Sequence, residues 1–268
     1  MQLAGAVAVV TGAGRGIGYG IARRLAKEGA RVVVNDRVPS AVTAVEEDLR
    51  RSADIMGYVA DVSSSSQVAE MFRAIRDRWG RVDILVNNAA LVDVPRHFLL
   101  ADEAYWDELI AVNLKGVYLC SRQAAALMVR QRAGCIIHIS SAGAVRAQRL
   151  MVAYDAAKGA VEAATRAMAV DLAPYGIRVN AVGPAAIRTE TWDAWSPEVV
   201  TRMTEGIPLG RPGTAEDVAA CVAFLASGEA TFITGQVIYV DGGILAQLRS
   251  PQVDASAWVE PGDISIDA

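Results

Sequence analysis

Lysine is scarce in this chain: of its 26 basic residues only Lys27, Lys115 and Lys158 are lysines, and the rest are arginines. Codon bias explains the scarcity itself, yet each surviving lysine becomes a position to inspect. Histidine is scarcer still, with only His97 and His138. No His/Cys cluster lies near either, which excludes a zinc site of familiar spacing, and no metal is expected. Cys120, Cys135 and Cys221 form neither a C-x-x-C pair nor an even disulfide set, so a reducing, cytoplasmic setting is expected. No window approaches the ~18 uninterrupted apolar residues that cross a bilayer. The apolar start Leu3–Val10 has no basic segment before it, so it reads as a strand and not as a signal peptide. A surplus of one charge is missing too. The 26 Lys+Arg against 30 Asp+Glu leave a net charge of −4, without the basic stripe of a nucleic-acid-binding protein. There is no G-x-S-x-G elbow, and His138 sits inside the apolar run Cys135–Ile139 as a structural histidine would, so serine-histidine hydrolysis is set aside.

What remains is a chain of 268 residues, 53% hydrophobic, long and apolar enough for one large core. Short apolar runs recur at Val7–Val10, Arg31–Val34, Met56–Val59, Val82–Val86, Cys135–Ile139, Arg178–Val182 and Gln236–Val240. Helical patterns at Gly16–Glu28, Ser40–Arg51, Ser65–Trp79, Asp102–Arg132, Tyr154–Ala173 and Ala215–Ala226 separate most of them, several opened by Ser, Asp or Thr caps. This alternation predicts an α/β fold: a doubly wound, Rossmann-like three-layer sandwich on a parallel sheet of about seven strands. Continuous apolar strands fit a sheet covered on both faces. The expected organisation is one dinucleotide-binding and catalytic domain over 1–245 with a lid near 184–212. A polar C-terminal extension, 246–268, is broken by Pro251 and Pro261.

The first apolar run is followed by Thr11-Gly12-Ala13-Gly14-Arg15-Gly16-Ile17-Gly18. Gly12, Gly16 and Gly18 space as G-x-x-x-G-x-G, and the better-known G-x-G-x-x-G fits in no register. Glycines in such a turn let the backbone approach a pyrophosphate, whose charge the helix N-terminus favours. Asp36 ends the second strand, where it can accept hydrogen bonds from ribose hydroxyls and repel the extra phosphate of NADP; NAD is therefore expected over NADP. Arg15 and Arg37 could each reach such a phosphate and keep NADP open. Asp61-Val62 and Asn87-Asn88-Ala89-Ala90 lie at the carboxyl ends of the next two strands, where a ligand crevice opens in such sheets.

Tyr154 and Lys158 are four apart, on one helical face. A phenol is a weak base at neutral pH, but a neighbouring ammonium stabilises its phenolate, so the pair could act as an acid/base. Ser140 and Ser141 follow the fifth strand.

Together T-G-x-x-x-G-x-G, N-N-A-A, Asn113, Ser141 thirteen residues before Tyr154, and Y-x-x-x-K resemble the short-chain dehydrogenase/reductase family, from Leu3 to about Ile244. The resemblance implies that Tyr154 transfers the proton and Ser141 polarises the substrate oxygen. It also implies that Lys158 binds the nicotinamide ribose and lowers the tyrosine pKa, and that Asn113 anchors a water relay. Ile187 and Thr189 match positions that touch the nicotinamide carboxamide. Three departures stand out: N-N-A-A where the family has N-N-A-G, Pro184-Ala185 for Pro-Gly, and Asp155 after the tyrosine. Ala185 carries a Cβ that puts the local backbone in question.

The expected reaction is hydride transfer between NAD and a secondary alcohol or ketone. Asp93, Arg96, His97, Arg146, Gln148, Arg149 and Glu190 are polar candidates at the pocket mouth and point to a sugar or polyol. The alternatives are an NADPH-dependent ketoreductase of keto-acyl substrates and, in another class, a catalytically silent dinucleotide-binding sensor or scaffold. Trp192 and Trp195 could wall the pocket or pack the lid down. The run of small residues from Ala156 to Ala169 predicts self-association, and the resemblance implies a homodimer or homotetramer. The tail could pack through Trp258 over a neighbour's site or be disordered.

Overall fold

A computed structural model of the chain describes residues 3–92 and 95–250. Asp93, among the proposed pocket residues, and Trp258 in the tail lie outside them. Seven strands form one sheet: β1 (Val7–Thr11), β2 (Arg31–Asp36), β3 (Ile55–Val59), β4 (Ile84–Asn87), β5 (Gly134–Ile139), β6 (Ile177–Pro184) and β7 (Val237–Val240). Their order is β3-β2-β1-β4-β5-β6-β7, and every pairing is parallel. The central strands are apolar throughout because both faces are covered, as the doubly wound expectation required.

Eight α-helices cross over between the strands: α1 (Gly16–Lys27), α2 (Pro39–Leu49), α3 (Ser65–Trp79), α4 (Glu103–Ile110), α5 (Gly116–Gln131), α6 (Val152–Leu172), α7 (Pro197–Glu205) and α8 (Ala215–Ala226). One face of the sheet packs on α1, α2 and α8 through Ile21, Leu25, Val45, Leu49, Val218 and Val222. The other packs on α3, α5 and α6 through Met71, Ile75, Cys120, Met128 and Ala169. Ser64, Asp102 and Thr214 cap α3, α4 and α8 through their side chains, which satisfies amide groups otherwise left open.

Two elements differ from expectation. The single helix foreseen over Asp102–Arg132 is interrupted at Ala111–Lys115 by one π-helical turn, a bulge that re-aims side chains and recurs at functional sites. The lid segment contains α7 and a 3-10 turn over Glu190–Ala194. At the predicted departure, Ala185 adopts no left-handed backbone, which among described non-glycine residues occurs only at Arg132 and Leu150. Its amide continues the β6–β7 pairing by donating to the Val240 carbonyl.

The strand order reverses between β1 and β4, and a crevice opens there at the carboxyl ends of the strands. Thr11, Asp36, Asn87, Ile139 and Pro184 all end strands on that edge.

Candidate active site

The glycine turn after β1 is shaped by its neighbours. Gly12 has φ +61°, and a Cβ there would meet the Ala89 backbone at 2.7 Å. Asn88 braces the turn, its Nδ2 donating to the carbonyls of Thr11 and Gly12, both at 2.9 Å. Thr11 Oγ1 in turn accepts from the amides of Asn88 and Ala89. Ile17 packs partly buried against the core. Arg15, the residue before α1, is exposed and makes no side-chain cap, so it leaves the first amides of the helix and their positive end uncapped. This cradle, into which side chains do not fit, suits the pyrophosphate of a dinucleotide.

Asp36 faces the same turn. Its Oδ2 accepts from the Gly14 amide at 3.1 Å and its Oδ1 from the Val38 amide at 3.1 Å. Asp61 bends into a local turn, with Oδ1 accepting from the amide and hydroxyl of Ser63. Val62, buried, packs where a side chain on Gly116 would sit. On the lid side, Ile187 is buried and bridged to Gly213. The Thr189 side chain lies beside Gly16. Glu190 Oε1 accepts from the Gly16 amide at 3.4 Å, so a carboxylate from the segment after β6 rests on the N-terminus of α1.

The four expected catalytic residues come from three segments. Tyr154 and Lys158 are one turn apart on α6, both buried. Lys158 Nζ donates to the Ile139 carbonyl at 2.7 Å and lies 5.6 Å from the centroid of the Tyr154 ring. Burial pushes this ammonium down to about 8, because a charge withdrawn from water is disfavoured. Ser141 lies two residues past the end of β5, and its Oγ accepts from the Gly143 amide at 3.0 Å. Asn113 sits fully buried in the π-helical turn. Its Oδ1 accepts from the Leu91 amide at 2.8 Å and its Nδ2 donates to the Leu91 carbonyl at 3.0 Å. Leu91 packs on the cluster of Tyr105, Leu109, Ala153 and Tyr154, which joins the asparagine to the tyrosine.

Sequence reasoning missed the polar scaffold behind these groups. Ser140, the residue after β5, donates to Glu162 Oε1 at 2.9 Å, and Tyr239 OH donates to the same oxygen at 2.9 Å. Glu162 stands one turn beyond Lys158, so the sequence signal was its repeat at four-residue spacing from Tyr154. His138 is buried beside Asn87, whose Nδ2 lies 3.1 Å from its Nδ1 and also donates to Ser121. Its Nε2 has no partner among the described residues, so this structural histidine is only half satisfied. Desolvation, reinforced by the Lys158 charge, pushes it down to about 3.

Most of the polar residues expected at the pocket mouth are engaged elsewhere. Arg96 stacks 4.5 Å over the Tyr105 ring and pairs with Asp102. His97 caps the 3-10 turn at Phe98–Leu100. Arg146 donates to the Ile244 carbonyl at 2.9 Å, and the Gln148 amide donates to Asp155. Trp192 is buried and stacked on the exposed Trp195, with centroids 4.9 Å apart. The loops leaving β4 and β5 expose Phe98, Leu99, Leu100, Val145 and Leu150. Among the described residues no helix is long and apolar enough to cross a membrane, and no group of three potential ligands could hold a metal ion.

Comparison with known proteins matches residues 12–245 to a family model described as enoyl-(acyl carrier protein) reductase. The 3-oxoacyl-(acyl-carrier-protein) reductase FabG of Staphylococcus aureus is 42% identical over 241 residues, 88% of this chain and 97% of that protein. The meso-2,3-butanediol dehydrogenase of Serratia marcescens is 37% identical over 253 residues, 94% of this chain and 100% of that one. The solved structure of levodione reductase superposes with a TM-score of 0.86 at 31% identity, covering 91% of this chain and 99% of its own.

Proposed function

The chain belongs to the short-chain dehydrogenase/reductase family, oxidoreductases of CH–OH and keto groups, and from that premise we propose that it moves a hydride between NAD and a secondary alcohol or its ketone, with Tyr154 as the proton-transferring residue. The observation that carries this reading is the pairing of Tyr154 with a buried Lys158, whose ammonium the Ile139 carbonyl holds at the strand end bearing Ser141. A bound nicotinamide dinucleotide supplies the hydride acceptor or donor.

The protein's part is proton management and orientation. Tyr154 removes the hydroxyl proton during oxidation and returns it during reduction, and the Lys158 charge stabilises the intervening phenolate. Ser141 Oγ accepts from Gly143, which leaves its own hydroxyl hydrogen to donate to the substrate oxygen. Asn113, fixed by two bonds to Leu91, holds the π-helical turn behind the tyrosine. Gly12, Arg15, Gly16, Ile17, Gly18, Asn88, Ile187 and Thr189 form the dinucleotide cradle, together with Asp61 and Val62 at the adenine end. NAD is the proposed cofactor over NADP because the Asp36 carboxylate sits against the glycine turn, where an added phosphate would meet its charge.

A sugar or polyol remains the proposed substrate class, supported by Gln148 and Arg149 near the Ser141 loop. A second reading, reduction of a keto-acyl substrate, is favoured by the exposed apolar side chains around the same loops. The outward strip Ala156, Gly159, Ala160, Ala163, Ala167 and Val170 on α6 supports a homodimer or homotetramer, and the cysteine pattern supports a cytoplasmic setting. Rates with D-gluconate, sorbitol, meso-2,3-butanediol and an S-acetoacetyl thioester, each with NAD(H) and NADP(H), test cofactor and substrate together. Preference for the thioester with NADPH would overturn the main reading in favour of the second.

A further inference from the structure

Asp155, the departure next to the candidate catalytic tyrosine, touches the loop between β5 and α6 at two points. Its Oδ2 accepts from the Gln148 amide at 2.8 Å. Its Oδ1 lies so close to the Gly143 Cα that a side chain at 143 would overlap it. That oxygen is shielded from solvent and has no hydrogen-bond partner among the described residues, a costly arrangement that needs a reason. Burial pushes the Asp155 carboxyl up, against the opposing bond from Gln148.

The reason lies in what Gly143 does. Its amide donates to Ser141 Oγ at 3.0 Å, so the position of Gly143 sets the rotamer of the serine. The remaining backbone bonds of the turn are local: Ala144 donates to the Ser141 carbonyl, and Val145 and Arg146 to that of Ala142. They shape the loop without fixing it to α6. Lys158 and Glu162 hold the root of the loop, Ile139 and Ser140, to α6; Asp155 links the part beyond Ser141, since it grows from the same first turn of α6 as Tyr154.

We propose that Asp155 is a positioning residue: its carboxylate clamps the 141–148 loop to the helix that carries Tyr154 and thereby sets Ser141 against the tyrosine. The proposal rests on the roles read above for Ser141 and Tyr154. In this role Asp155 acts through Gly143 and Gln148.

The test measures kcat on the best substrate of the panel above and, separately, the Kd for NAD by calorimetry. Asp155→Ala removes both contacts and should lower kcat about tenfold while NAD Kd stays within about twofold. Asp155→Asn keeps an acceptor for Gln148 and fills the same volume, so it should restore most of kcat. Gly143→Ala should impair kcat in the native background and much less in the Asp155→Ala background, a non-additivity expected only of residues in contact. Wild-type kcat in Asp155→Ala, equal loss in the alanine and asparagine variants, or multiplicative effects of the 143 and 155 changes would each overturn the clamp. Tyr154→Phe in the same assay separates the two levels. If it retains turnover the reading of the site fails, and if it alone is inactive only the clamp fails.

Discussion

Lys158 Nζ donates to the carbonyl of Ile139 at 2.7 Å, across the junction between α6 and the end of β5. The bond anchors a buried ammonium beside Tyr154 and ties the two segments that carry the proposed acid/base and Ser141. Because burial holds this group near 8 in the folded chain against 10.5 in an exposed lysine, folding and protonation are linked. Between those values the unfolded chain binds the proton and the folded chain does not, so this residue's contribution to stability rises with pH there. The stability advantage of Lys158→Met over wild type should therefore shrink by up to about 3 kcal/mol between pH 8 and 10.5. Urea midpoints across that range measure it, and a pH-independent difference would contradict the burial argument.

His138 carries a second test, with the same sign in a more acidic window. Its folded value near 3 lies below the ordinary 6.5, so from about pH 6.5 downward the unfolded state gains a proton that the folded state refuses. Stability is lost as pH falls through that window, by about 1.4 kcal/mol per pH unit from this residue. His138→Asn should remove that slope. Chemical denaturation of both proteins between pH 6.5 and 4.5 checks it, and parallel curves would count against it.

Glu190 rests on the Gly16 amide at the N-terminus of α1, where the pyrophosphate of a dinucleotide is expected to bind. A carboxylate there competes with another anion for the same partial charge. Glu190→Gln should tighten NAD binding about three- to fivefold by calorimetry. The neighbouring stacked pair Trp192 and Trp195 provides a fluorescence readout of the same event. Weaker or unchanged binding would show that the carboxylate does not oppose the cofactor.

The strands were legible because a sheet covered on both faces writes each strand as an unbroken apolar run, and Tyr154 with Lys158 was legible because four-residue spacing is a helical face. Hidden from the sequence were contacts between distant segments. The π-helical turn at Ala111–Lys115 leaves no composition signal, since Asn113 is placed by two bonds to Leu91, 22 residues away. The Glu162 acceptor joins Ser140 and Tyr239, 22 and 77 residues away, and Glu190 meets Gly16 across 174 residues. The partners of three residues expected at the pocket mouth were hidden for a related reason: Arg96, His97 and Arg146 bond to a ring, an amide and a carbonyl that sequence spacing does not reveal.

Asp36 is the residue on which cofactor choice turns. Asp36→Ala removes the carboxylate that an added phosphate would meet and leaves Arg15 and Arg37 exposed near the turn. Its kcat/KM with NAD should fall about tenfold and the NADP to NAD ratio should rise by more than that. Steady-state rates with both cofactors measure this. A ratio that stays constant would assign the discrimination to another residue.

The most direct measurement is turnover by Tyr154→Phe set beside its affinity for NAD. The phenyl ring keeps the packing of Tyr154 on Tyr105, Leu109 and Ala153 and removes only the hydroxyl that would carry the proton. The predicted result is an NAD Kd within about twofold of wild type with kcat lowered by at least about a hundredfold. Undiminished kcat in a variant that binds NAD normally would contradict the assignment of Tyr154.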